Sequence, residues 1–129
     1  MILLDTHVWV RWIAPATRPL PESTLRVIDS ADELAVAAVS CWEVINLHKR
    51  GRIALAVPAP RWLEMALAPS GVTCLPMTCA IAEAAGSLAD VHRDPADRII
   101  LATAIITGAR LLTLDASMRA YPEIAQLLA

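Results

Sequence analysis

Three apolar runs constrain the fold of this chain more than any other feature. Ile2-Leu3-Leu4 stops at Asp5, Leu34 to Val39 runs into Ser40, and Arg110 to Leu114 stops at Asp115. None of the three alternates apolar with polar residues. Continuous apolar runs of this length are what strands buried on both faces look like, and such strands belong to parallel sheets. Val72 to Leu75 is a fourth candidate strand. Helical spacing fills the intervals, at Thr6 to Ile13, Glu22 to Ser30, Ser40 to Lys49, Arg61 to Ala68, Thr78 to Ala89 and Pro95 to Thr107. Asp115 to Leu128 reads as a helical tail broken near Pro122. Strand and helix alternate throughout, so the expected class is α/β: a mainly parallel central sheet with helices on both faces.

Punctuation supports these boundaries. Pro15, Pro19 and Pro21 mark one loop, and Pro58 and Pro60 another. Gly51 follows His48, Lys49 and Arg50, and Gly108 follows the 95–107 helix. Both are expected as C-terminal stops. No linker, repeat or low-complexity stretch divides the chain, so residues 1–129 are expected to form a single domain, large enough for a core without disulfides.

Composition excludes several classes. The apolar stretches are too short to span a bilayer, and the N-terminus lacks a basic segment and cleavage site, so a cytoplasmic protein with no membrane association is expected. Cys41, Cys74 and Cys79 are scattered and form no CxxC pair; reduced, buried thiols are expected rather than a zinc site. A net charge of −2 argues against holding nucleic acid by bulk positive charge. Lys49 is the only lysine and no glycine-rich loop precedes it, so there is no P-loop. The 57% hydrophobic content fits either a covered interface or an alanine-rich chain with an ordinary core.

Five carboxylates hold the functional signal: Asp5, Glu43, Asp94, Asp97 and Asp115. Asp5 and Asp115 follow strands, Glu43 lies one turn into the helix after the second strand, and Asp94 and Asp97 open the long helix before the last strand. Ligands of open parallel sheets bind beyond the carboxyl ends of the strands, so these acids are expected to converge on one mouth. Each also has a structural reading. Ser40-x-x-Glu43 matches a capping box, Asp94-Pro95-Ala96-Asp97 matches a helix start, and Asp5 and Asp115 suit N-caps. Single acids at such places are ordinary caps, whereas their shared position beside strand ends favours a site. Clustered carboxylates repel unless protonated or metal-bound, and an oxygen-only set suits Mg²⁺ or Mn²⁺. Such an ion activates water and offsets charge on a phosphate, with no serine, cysteine or histidine nucleophile required.

The stretches Leu-Leu-Asp-Thr-His at 3–7, Ser-Cys-Trp-Glu-Val at 40–44, His-Arg-Asp-Pro-Ala-Asp-Arg-Ile-Ile-Leu-Ala-Thr-Ala at 92–104 and Leu-Leu-Thr-Leu-Asp at 111–115 resemble the PIN-domain superfamily, in particular its VapC-like toxin branch. The resemblance spans the chain and is most specific at 92–104. It implies a three-layer sandwich and an acidic metal site. It also implies endoribonuclease activity, homodimerisation and inhibition by a cognate antitoxin. Carried over by position, Asp5, Glu43, Asp97 and Asp115 are the catalytic acids. Asp5, Asp97 and Asp115 are the expected metal ligands, Glu43 a possible one, and Asp94 either an additional ligand or only a cap.

Around the acids, Arg98 and Arg93 are candidates for RNA phosphate, with a carboxylate restraint or a surface ion pair as the plain alternative. Thr6, Ser40 and Thr113 suit metal waters, the acids or backbone caps, and Thr6 and Ser40 are also candidate substrate contacts. His92 and His7 read as structural, with His92 also suited to supporting the acids. His48, Lys49, Arg50 and Arg52 form a basic group that either guides RNA or is a solvated helix end. Trp9, Trp12, Trp42 and Trp62 read as core or interface rather than base-stacking platforms. A haloacid-dehalogenase-like phosphatase would need an acid at position 7, where His7 stands, and a response-regulator receiver needs a lysine after its last strand. An RNA-processing PIN nuclease without an antitoxin remains an alternative, as does a catalytically silent PIN-like scaffold. Retention of the acids speaks against the scaffold, and the short chain with nothing outside the core favours a toxin.

Overall fold

The computed structural model describes residues 1–15, 18–91 and 93–129. Its strands are β1 (Ile2–Leu4), β2 (Leu34–Ala37), β3 (Val72–Leu75) and β4 (Arg110–Leu112), and they form one sheet in the order β3-β2-β1-β4. All three pairings are parallel: Leu3 sits opposite Ala35 on one side and Leu111 on the other, and Val36 opposite Cys74. The helices are α1 (Thr6–Ile13), α2 (Glu22–Asp29), α3 (Ala38–Lys49), α4 (Ala59–Ala66), α5 (Cys79–Ser87), α6 (Pro95–Thr107) and α7 (Ala116–Arg119).

The strands are apolar without alternation because both sheet faces are covered. Leu4, Val36 and Leu112 point into a core with Val8 and Trp9 of α1, Val44 of α3 and Trp62 of α4. Their neighbours Leu3, Ala35 and Leu111 point the other way, against Ile100, Leu101 and Ala104 of α6, with Met118, Tyr121 and Ile124. Successive strand residues face opposite sides, so one short run serves two cores. Each fully buried Leu or Ile in these layers contributes about 1.5–3 kcal/mol. Trp9 and Trp62 meet edge-to-face at 5.1 Å, and Trp9 Nε1 donates to the Ala66 carbonyl at 3.0 Å, so the indole's polar edge is satisfied inside the core.

Most expected boundaries hold, and four differences have physical causes. β2 stops at Ala37 and α3 begins at Ala38, two residues before the expected cap at Ser40. α4 begins at Ala59, because Pro58 takes the N-cap position and Pro60 fits the first turn, where no N–H is needed. α5 is capped by the Thr78 hydroxyl, which accepts from the Ile81 N–H at 3.2 Å. The tail is helical only at Ala116–Arg119 and in a 3-10 turn at Pro122–Ile124. Beyond it Leu128 pairs with Leu111, which receives a bond from Ala129 N–H at 2.8 Å. That return covers the otherwise open edge of β4.

One expectation is corrected and one is narrowed. Cys74 and Cys79 are exposed; only Cys41 is half-buried, and burial together with the Cys74 thiol pushes its pKa up to about 12. Of the tryptophans read as core or interface, Trp9 and Trp62 are core, Trp12 is partly buried, and Trp42, 60% exposed, is excluded from the core alone. Among the described residues no helix is long and apolar enough to cross a membrane.

Candidate active site

The parallel sheet decides where the acids go. Asp5 directly follows β1, and Asp115 comes three residues after the end of β4. Gly108, in the left-handed conformation at φ +74, closes α6, and with Ala109 alone joins it to β4. α6 therefore runs back along the sheet, and its first turn, with Asp94 and Asp97, lies at the carboxyl end of the strands. α3 starts from that same end because β2 flows straight into it.

Asp5 is the centre of the arrangement. Its carboxylate is only 3% exposed. Oδ1 accepts from the Thr6 N–H at 2.7 Å and Oδ2 from the Thr113 hydroxyl at 2.8 Å. Thr113 Oγ1 in turn accepts from the Asp115 N–H at 3.1 Å, so one buried threonine ties together the acids that follow β1 and β4. Asp115 also caps α7 by accepting from the Ser117 N–H. Burial raises the Asp5 pKa, against the lowering from Thr113, His7 and Thr6, and the Asp115 charge adds to the rise.

Glu43 is held from the other side. The Thr6 hydroxyl donates to Glu43 Oε1 at 2.5 Å and lies 2.8 Å from Ser40 Oγ. Burial again raises the Glu43 pKa; Thr6 lowers it, and the charges of Asp5 and Asp94 raise it further. Thr6 is the residue after Asp5, so two adjacent residues at the end of β1 reach both groups: Asp5 through Thr113 to Asp115, and Thr6 to Glu43. The expected capping box is absent. With α3 starting at Ala38, Ser40 and Glu43 fall inside the helix, and their side chains turn to Thr6 instead.

Asp94 does cap α6, accepting from the Asp97 N–H at 3.1 Å with Pro95 in the first position. Asp97 lies in that first turn, partly buried. The structure thus gathers Asp5, Asp115, Glu43 and Asp94 into one electrostatically linked set, with Asp97 on the same turn as Asp94. Among the described residues no three His, Cys, Asp or Glu side chains stand close enough to hold an ion as they are placed. The donor chemistry nevertheless fits a hard cation. The set is all carboxylate and hydroxyl oxygen, and Mg²⁺ keeps several waters while bound through one or two carboxylates and substrate phosphate.

Several expected contact residues have other duties. Thr6 and Ser40 are fully buried and orient Glu43, out of reach of a substrate. Arg98 donates to the carbonyls of Ala85, Leu88 and Ala89 and to the Tyr121 hydroxyl, so its charge closes the C-terminal end of α5 rather than facing RNA. Arg93 makes an exposed ion pair with Asp90 at 3.8 Å. His92 lies outside the described residues. His7 is exposed and lines a cleft with Asp5, Asp115, Arg11 and Arg18, rather than joining the core.

Sequence reasoning missed that cleft and the exposure of Trp42, which lines a second groove with Glu43 and Asp94. The available signal for Trp42 was its phase on α3. It falls on the stripe with Asn46, Lys49 and Arg50, the polar face of the helix.

The model of the PIN domain matches residues 2–124. The chain is 40% identical over 121 residues to a protein named Ribonuclease VapC22 from Mycobacterium tuberculosis (strain ATCC 25618 / H37Rv), covering 93% of this chain and 91% of that one. Among solved structures, a toxin-antitoxin complex from Klebsiella pneumoniae superposes with a TM-score of 0.66 at 20% identity, covering 95% of this chain and 94% of that one. VapBC2 from Rickettsia felis, bound to a DNA fragment from its promoter, superposes with a TM-score of 0.67 at 15% identity, covering 96% of both. At those identities the structural likeness is one of fold. On the family match and the relative of near-equal length, the chain belongs to the PIN domain family, in its VapC-like branch.

Proposed function

We propose that residues 1–129 act as one PIN domain, a metal-dependent endoribonuclease that is the toxin of a toxin–antitoxin pair. In this reading it works in the cytoplasm as a homodimer and is neutralised by a cognate antitoxin protein. The observation that supports it best is the double linkage at the end of β1. Asp5 is tied through Thr113 to Asp115, and its neighbour Thr6 grips Glu43, all within a chain 40% identical to a named ribonuclease.

In this reading Asp5 and Asp97 would hold the principal Mg²⁺ or Mn²⁺ with Asp115 close by, and Asp94 would remain the cap of α6. The bound ion supplies acidified water and charge compensation for the phosphate. Glu43, a partly buried carboxyl fixed by Thr6, accepts the proton that the attacking water releases. The water oxygen bonds to phosphorus in line with the 3′-oxygen, and the P–O3′ bond breaks. The leaving oxygen takes a proton from solvent, giving 5′-phosphate and 3′-hydroxyl ends.

Cleavage of RNA by the purified chain, with and without EDTA and with Asp5→Asn, tests the proposal. Cleavage that needs a divalent ion and disappears in the variant is expected. Cleavage that survives both chelation and substitution sinks the mechanism, and no cleavage with any divalent ion favours a silent scaffold. If a small reading frame lies immediately upstream, co-expression of its product should relieve toxicity. Its failure to do so favours an RNA-processing nuclease.

A further inference from the structure

A groove of about 310 Å³ runs from Glu43 along α3, with Asp94, Pro95 and Ala96 of α6 as its opposite wall. On the α3 side it is lined by Trp42, Asn46 and Arg50, and Arg52 closes it just past the helix end. Two features set this groove apart. Trp42 is 60% exposed in a protein whose other described aromatic side chains are buried or partly buried. Among the described residues neither Arg50 nor Arg52 makes a salt bridge. Of the other arginines, Arg11, Arg98, Arg110 and Arg119 donate to backbone carbonyls and Arg26 and Arg93 pair with acids; Arg18 and Arg61, which among the described residues also make no salt bridge, do not line this groove.

We propose that this groove is a nucleotide subsite for single-stranded RNA, in which a base stacks on Trp42 and the neighbouring phosphate lies on Arg50 and Arg52. The inference rests on the ribonuclease reading and deepens it. The spacing suits the role. Glu43 and Arg50 are seven residues apart on one helix, about 10 Å at 1.5 Å per residue, which separates the acidic end from the cationic end. An exposed aromatic beside free cations is the usual platform for unpaired bases, since every base has a stacking face. The set also answers how a chain of net charge −2 can hold a polyanion: two unpaired guanidinium groups placed beside the acids do locally what bulk charge cannot. A second protein seated on Trp42 would gain an apolar contact but would bring no phosphate to the two arginines.

The test compares Trp42→Ala, Trp42→Phe and the double variant Arg50→Gln/Arg52→Gln, each confirmed folded by its thermal transition. The probe is a fluorescein-labelled single-stranded RNA, used for cleavage by the otherwise wild-type chain and for binding in an Asp5→Asn background. Loss of one stacked base should raise KM and Kd about 5- to 100-fold in Trp42→Ala, with kcat little changed and Trp42→Phe recovering most of the loss. Removal of the one phosphate contact that Arg50 and Arg52 share should flatten the slope of log K against log salt by about 0.7. If the wild type cleaves RNA while Trp42→Ala keeps the same KM and Kd, the subsite is wrong and the ribonuclease reading stands. If the wild type neither binds nor cleaves RNA, both fall. If Trp42→Ala weakens self-association or capture of the antitoxin but leaves RNA affinity untouched, the groove is a protein interface and the proposal is overturned.

Discussion

The first turns of α3 and α6 look alike in sequence and differ in the folded protein. Ser40-x-x-Glu43 and Asp94-Pro95-Ala96-Asp97 are both helix-start signatures. Asp94 behaves as its signature says and accepts from the Asp97 N–H. Ser40 and Glu43 do not, because α3 is already under way at Ala38 and both side chains are held by Thr6. The difference lies in what pins the boundary. Pro95 fixes its own φ and forbids an earlier helical N–H bond, so α6 can start nowhere else. Nothing pins α3, since alanine and valine on its N-terminal side continue a helix as readily as they end a strand. A cap signature without a proline is a weak anchor, and a buried hydroxyl on a neighbouring helix can claim its side chains. The consequence is chemical: Glu43, freed from capping, is held at the mouth by the Thr6 hydroxyl.

The largest effect expected from this contrast is on activity. Glu43→Gln should lower kcat at least about 100-fold, the usual scale for losing a general base. It should leave the thermal transition unchanged or raised, because it removes a buried carboxyl disfavoured in its charged form. Asp94→Asn should leave kcat within about threefold, since asparagine caps as well as aspartate. If Asp94→Asn abolishes cleavage as Glu43→Gln does, Asp94 is a ligand and the contrast between the two helix starts is lost.

A smaller effect should appear in the pH dependence of stability. Burial raises the pKa of Asp5 and of Glu43. In the window between the ordinary carboxyl range and those raised values, the folded chain holds protons that the unfolded chain has released. Stability should therefore fall as pH rises through that window, and the penalty should persist above it. In EDTA, the melting temperature is expected to decline as pH rises above the ordinary carboxyl range, and Asp5→Asn should flatten the decline. A melting temperature that climbs over the same range would show that the fold favours these carboxylates in their charged form.

Much of this architecture was legible and part of it was not, for reasons that can be named. The strands were readable because three-layer burial removes alternation: Leu3 and Leu4 face different cores, so neither position admits a polar residue. Asp5 and Asp115 were readable because strand ends in a parallel sheet share one rim. The fate of Arg98 was not, since whether a guanidinium faces solvent or the carbonyls of Ala85 and Leu88 depends on where α5 ends in space. Thr6 was only half legible. Its hydroxyl had several plausible partners, and the choice of Glu43 follows from α3 beginning two residues early. Trp42 was half legible: a reading of core or interface left both fates open, and its place on the polar stripe of α3 accounts for its exposure.

The smallest effect isolates the caps themselves. Asp94→Ala should cost about 1 kcal/mol of stability in chemical denaturation, the ordinary value of an N-cap side chain, and Asp94→Asn should cost almost nothing. On α3, capping predicts the same pattern for Ser40, with Ser40→Asn as harmless as wild type because asparagine is an excellent cap. The observed packing predicts the opposite. Ser40 is fully buried against Thr6, so the larger asparagine has no room and should destabilise more than Ser40→Ala, which gives up only one hydroxyl contact. The ranking Asn worse than Ala at position 40, with Asn better than Ala at position 94, is therefore the expected signature of one true helix cap and one displaced one. The same ranking at both positions would mean that α3 begins at Ser40 in solution and that Glu43 is engaged in capping.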